Sequence, residues 1–181
     1  MLILPVWMSA WEIGCCGDEH EARLGYLWEG MLLVEQIEAW RQSSSRELGW
    51  RRVGDGWIDF VARTLDSPRY GPASPVLDLG SCRVGAPRLT ASGFIGGRGR
   101  VVANWHEGFD PERDSEILVD GYVRRVSLRR RIVERRSERS WRVVGHEAPV
   151  DVASSLEAGR KLESDVLVEL MIGTFRGSAS G

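Results

Sequence analysis

Residues 117–133, Ile-Leu-Val-Asp-Gly-Tyr-Val-Arg-Arg-Val-Ser-Leu-Arg-Arg-Arg-Ile-Val, constrain the fold more than any other stretch of this chain. Apolar and basic side chains alternate there, and a period of two is the signature of a strand with one buried and one wet face. The alternation predicts one face made of Tyr122, Val126, Leu128 and Ile132 and an opposite row of Arg125, Arg129, Arg131 and Arg135. A turn at Ser137-Glu138-Arg139-Ser140 would return the chain as a partner strand, Trp141-Arg142-Val143-Val144.

Other segments extend this β-rich reading. Val6-Trp7-Met8 reads as a first strand, followed by a tight loop over Trp11-Glu12-Ile13-Gly14-Cys15-Cys16-Gly17-Asp18. The apolar residues between Gly25 and Trp40 mix periods, predicting a strand near 26–35 that leads into a short helical turn. Between Gly54-Asp55-Gly56 and Ser67-Pro68, the spacing of Ile58, Val61 and Leu65 predicts a short amphipathic helix. Beyond Pro68, short runs at 75–79, 88–91 and 99–105, punctuated by Gly and Pro, predict an antiparallel meander, with the glycines of 93–99 in a hairpin or bulge. Residues 165–172 form a last element whose period fits strand or helix. The expected architecture is a predominantly β member of the α+β class: one domain over residues 1–175, a small, partly open antiparallel barrel or sandwich with one or two short helices. Residues 176–181 read as a flexible tail.

Composition narrows the function classes. A chain of 181 residues, 43% hydrophobic and 28% charged, has enough apolar material for a core without disulfides or metals. No apolar run approaches the roughly 20 residues of a spanning helix, so no membrane partner is expected. The N-terminus lacks the basic region of a signal peptide. Three cysteines, two of them adjacent, suit reduced cytoplasmic thiols better than a disulfide scaffold. The net charge of −2 conceals a segregation, because residues 121–142 carry nine basic and two acidic side chains. Of the 24 basic residues all but Lys161 are arginines, planar donors that pair with carboxylates or stack on aromatics.

One box resembles a known family. Trp11-x-x-x-Cys15-Cys16-Gly17, with Trp28 eleven residues after the glycine, is similar to the start of an uncharacterised, mainly actinobacterial domain family. The stretches 121–126 and 144–152 are similar to that family's C-terminal strand pair. After Gly17 the family continues with an acidic residue, Pro and Phe and then a Val-Gly-Asp turn, where this chain has Asp18-Glu19-His20 and Leu24-Gly25-Tyr26. The resemblance implies a small β-rich domain and no known activity.

Several constellations compete for a function. The leading expectation is a non-catalytic accessory protein that recognises a peptide or protein partner through Trp11, Trp28, Trp105, Arg125, Arg129, Arg131 and Trp141, and that self-associates. Eight tryptophans exceed what a core of this size needs, and indole offers contact area with a polar handle. No cofactor is expected in that reading. The alternative is a thiol- or metal-dependent enzyme or sensor, with Cys15, Cys16 and His20 as ligands for zinc or copper. A third is RNA binding through the arginines of 124–142, which the sequence pI of about 6.0 disfavours. His106-Glu107 and His146-Glu147 offer paired acid and base groups or caps at strand ends. The carboxylates of 110–116 form an acidic loop without the ligand order of a calcium site.

Overall fold

Two long strands organise the molecule, and each does so by changing neighbours part-way along its length. The computed structural model describes residues 1–65, 75–87, 89–105, 118–159 and 164–173. In chain order the elements are β1 (Leu2–Met8), α1 (Ala10–Cys16), β2 (Leu27–Gln42), β3 (Gly49–Val53), β4 (Trp57–Leu65), β5 (Val76–Asp78), β6 (Arg83–Gly85), β7 (Phe94–Ala103), β8 (Leu118–Ser137), β9 (Ser140–His146), β10 (Val150–Val152), α2 (Ser155–Gly159) and β11 (Ser164–Ile172). The protein is therefore mostly β with two short helices among the described residues, the expected α+β class.

The strands share one hydrogen-bonded sheet that curls into a ring. β8 pairs with β11, β11 with β1, β1 with β7 and β7 with β2, and the first part of β2 (Leu27–Met31) pairs back onto β8. The later part of β2 runs with β7, and β7, β4, β5, β6 and β2 make a second loop of pairings beside the first. Most pairs are antiparallel, but β1–β7 and β2–β6 are parallel. Inside lie Leu4, Val6, Met8, Leu32, Val34, Ile58, Val101, Val126, Val166, Val168 and Leu170, part of one continuous apolar cluster. Burying each large aliphatic side chain contributes about 1.5–3 kcal/mol.

Four local expectations are corrected. Residues 10–16 form a helix and not a tight loop, because Ser9 caps it: the Glu12 amide donates to Ser9 Oγ, and Ser9 Oγ–H donates to the Glu12 carboxylate. The helical turn expected after residue 35 is a continuation of β2. The register slips by one residue between Glu35 and Glu38 and again between Glu38 and Arg41, with Gln36 and Ala39 at positive φ. Two successive bulges give a spacing of three that imitates a helix. The helix expected over 57–65 is β4, whose buried residues Ile58, Phe60 and Ala62 alternate. Residues 89–91 are outside any strand; Gly96, Gly97 and Gly99 lie within β7, not in a hairpin but opposite the two bulges of β2, the other alternative expected for them. A Cβ on Gly99 would sit 2.6 Å from Val34 Cγ1, so the glycine lets β2 and β7 close over the core.

The predicted face of β8 also changes. Val119, Gly121 and Val123 face inward, then Val126 and Leu128 do. The pairing with β11 slips between Glu169 and Leu170, leaving Arg124 as the extra residue, so everything before it changes side. Tyr122 is consequently exposed, and so is Ile132, where β8 leaves the ring to pair with β9 as a ribbon. Residues 106–117, including His106-Glu107 and the acidic loop, and the tail 176–181 lie outside the described residues.

Candidate functional site

The site forms on the outer face of the ring, around an indole that a strand would normally leave in water. Trp7 points outward from β1, yet it is only 5% exposed. The β3–β4 turn folds over it, and Trp7 Nε1–H donates to the Gly56 carbonyl at 3.2 Å. Gly56 has φ +73°, and a Cβ there would lie 2.4 Å from Trp7 Nε1, so both the turn and the contact require glycine. The same turn presents Asp55 to Arg129 at 2.8 Å, and Arg52 of β3 pairs with the buried Glu169.

Three further side chains gather against this indole. The His146 ring lies 5.0 Å away, the Arg129 Cζ 5.9 Å and the Arg100 Cζ 4.7 Å; Arg100 also packs 4.5 Å from the ring of Trp57. His146 Nε2 and Asp165 are 3.0 Å apart, and Arg131 pairs with the other oxygen of Asp165 at 3.1 Å. Two contiguous cavities of about 340 and 560 Å³ open here. Trp11, Gln36, Arg100 and Asp165 line both; Asn104 and Glu12 lie in the smaller, Arg131, His146 and Val144 in the larger. Gln36, at the rim, holds φ +51°, a strained conformation of the kind that collects at binding sites.

Arg100 differs from its neighbours. Arg129, Arg131, Arg52 and Arg98 each have a carboxylate within ion-pairing distance. No carboxylate pairs with Arg100 among the described residues; its buried Nε lacks a hydrogen-bond partner there, as does that of Arg129. Burial lowers its pKa from the usual guanidinium value. Asn104 Nδ2, on the same wall, is likewise buried without a partner among the described residues.

The structure distributes the sequence-predicted residues over several places. Trp11 and Arg131 meet in the cleft. Arg129 is buried beneath it, matched by Asp55. Arg125 lies apart and pairs with Asp151 at 2.7 Å, an interaction that raises its pKa. Trp28 is core: its Nε1–H donates to the His20 carbonyl at 3.1 Å, and the His20 ring stacks on Trp105 at 5.4 Å. Trp141 is exposed on the ribbon with the Arg135 Cζ 5.8 Å from its ring.

Cys15 and Cys16 close α1, exposed and half-exposed, while Cys82 lies in the core. No group of three or more His, Cys, Asp or Glu is arranged for a metal among the described residues. Partial burial and the hydrogen bond with Cys15 push the Cys16 thiol up, and burial pushes Cys82 up to about 12. Both shifts are opposite to that of an activated thiol.

Sequence reasoning missed Trp7, Trp57, Arg100, Asn104 and Asp165. The one legible signal was the Gly54-Asp55-Gly56 turn, whose partner across the ring no local pattern reveals. The cleft contains a His–Asp pair, but among the described residues no hydroxyl or thiol is hydrogen-bonded to His146, and Ser9 is occupied in capping α1. Among the described residues a nucleophile–base–orienter triad is thus not assembled around His146. No family model, no curated protein and no solved structure matches the chain. No described helix is long and apolar enough to cross a membrane.

Proposed function

We propose that this protein is a non-catalytic binding module that takes an extended, acidic segment of a protein partner along the β8–β9 ribbon. The observation that carries this reading is the ribbon's apolar exposure. Ile132, Val133, Trp141, Val143 and Val144 are all exposed there, and β8 is the one strand paired with β9 among the described residues. An open strand edge with bare valines is a ready template for an added strand. Arg135, Arg136, Arg139 and Arg142 surround the apolar residues, against Glu134 and Glu138, so the surface selects an acidic partner. A second copy of the chain is the competing occupant.

The test is fluorescence anisotropy with a labelled peptide of alternating Glu and Val, at low and moderate salt, alongside light scattering for oligomeric state. Salt-sensitive peptide binding that a Trp141→Ser, Val143→Thr variant loses supports the reading. Failure of the peptide to bind a monomeric protein overturns it. Steeply salt-dependent binding of mixed RNA oligonucleotides without peptide binding also overturns it, in favour of the RNA alternative.

A further inference from the structure

Beyond the ribbon, we infer that the cleft beside Arg100 is a binding site for the carboxylate of a small, largely apolar ligand, either a free organic acid or the C-terminus of a peptide. On this face of the ring the neighbouring guanidiniums of Arg129 and Arg131 are matched by Asp55 and Asp165, while Arg100 faces a cavity of about 340 Å³ with no carboxylate of its own among the described residues. A guanidinium half withdrawn from water and left without a carboxylate is costly unless something outside the chain completes it.

The chemistry of the walls selects the ligand. Trp7 and Trp57 pack against the guanidinium, and its Nε is buried. With Nε buried, the two Nη groups are the donors left to a ligand, a planar fork suited to a planar carboxylate. Asn104, more than nine-tenths buried with an unpartnered Nδ2, supplies a second donor on the same wall. Glu12, Glu35 and Asp165 also line the cavity, Asp165 being already paired with Arg131 and His146, so these carboxylates disfavour a phosphate dianion more than a single negative charge. Trp11 and Val102 offer apolar surface for the ligand's body. The volume lies within the range of small-molecule sites, which begins at about 300 Å³.

The test is isothermal titration calorimetry of the full chain with three probes: N-acetyl-leucine, a hexapeptide ending in Val-Leu with a free carboxylate, and the same hexapeptide amidated at its C-terminus. The expected result is binding of at least one free acid, no binding of the amide, and no binding of inorganic phosphate. Arg100→Met, which keeps the aliphatic stem against the indoles, should weaken the bound acid about tenfold or more, and Arg100→Lys should not restore it. If N-acetyl-leucine alone binds, the source is a free acid; if the peptide acid binds more tightly, it is a chain terminus. The inference is overturned if the folded wild type binds neither acid, if the amide binds equally well, or if phosphate binds best. Because the ribbon variant leaves Arg100 untouched, failure here is distinguishable from failure of the ribbon reading.

Discussion

The two ends of β8 carry the same kind of sequence into opposite environments. From Val119 to Arg129 the strand lies between β2, β10 and β11, and two of its arginines are matched by carboxylates: Arg125 by Asp151 and the buried Arg129 by Asp55. From Ile132 onward its one partner among the described residues is β9, and valines and arginines alike face water. Alternation alone does not bury a face; a second layer must cover it. The ring supplies that layer on its inside, and the β3–β4 turn supplies it outside, over Trp7. The ribbon has neither, which is why its exposed apolar surface is read as a docking site and not as structure.

The comparison is broken most forcefully by removing the ring's packing. Leu170 is fully buried on β11, between β1 and β8. Leu170→Ala should cost about 2–5 kcal/mol of unfolding free energy, read as a lower urea midpoint at unchanged slope. A loss below about 1 kcal/mol would mean that the ring is not the stabilising core.

Next in size is the matched pair beneath the cleft. Arg129 is 3% exposed, whereas its partner Asp55 is 72% exposed. Asp55→Asn leaves a buried guanidinium uncompensated, and solvent at the aspartate limits the loss to about 1–2 kcal/mol. Arg129→Met removes the charge together with its desolvation cost and should be less damaging than Asp55→Asn. Urea unfolding of both single variants and the double variant gives the coupling, and equal losses for the two singles would deny that burial sets the cost.

The ribbon should show the reverse pattern. Trp141 is not a core residue in this arrangement: Trp141→Ser and Val143→Thr remove exposed side chains and should each change stability by no more than about 0.5 kcal/mol, while abolishing peptide binding. A large stability loss in thermal unfolding would place the ribbon inside the cooperative core and remove its role as a free surface.

Much of this contrast was legible in the sequence, for reasons visible in particular residues. β8, β9 and the turn at 137–140 followed from alternation and turn chemistry, which are local. The errors cluster where one extra residue shifts a register. Arg124 inverted the faces around Tyr122, and the bulges at Gln36 and Ala39 made a strand look helical. In β4, Ile58, Val61 and Leu65 suggested a helical stripe, but the cover came from Ile58, Phe60 and Ala62. The cleft was illegible because its parts, Trp7, Asp55, Arg100, His146 and Asp165, come from five distant segments that only the closed ring brings together. No spacing in the chain encodes that closure.

The smallest expected effect separates surface pairing from either extreme. Asp59 of β4 accepts hydrogen bonds from Arg98 and Arg51, and these hold its carboxyl below the usual value of 3.8, against a smaller opposing effect of burial. A carboxylate with a lowered native pKa contributes stability that is fully present above its unfolded pKa. That contribution is lost as pH falls through the native value. Asp59→Asn should therefore be slightly less stable than wild type at neutral pH, and the gap should close as pH falls below the usual carboxyl value of 3.8. Because the pair is partly solvated, added salt should shrink the neutral-pH gap. Urea midpoints of both proteins across that range check it: a gap that persists at the acid end would assign the loss to packing of the side chain and not to its charge.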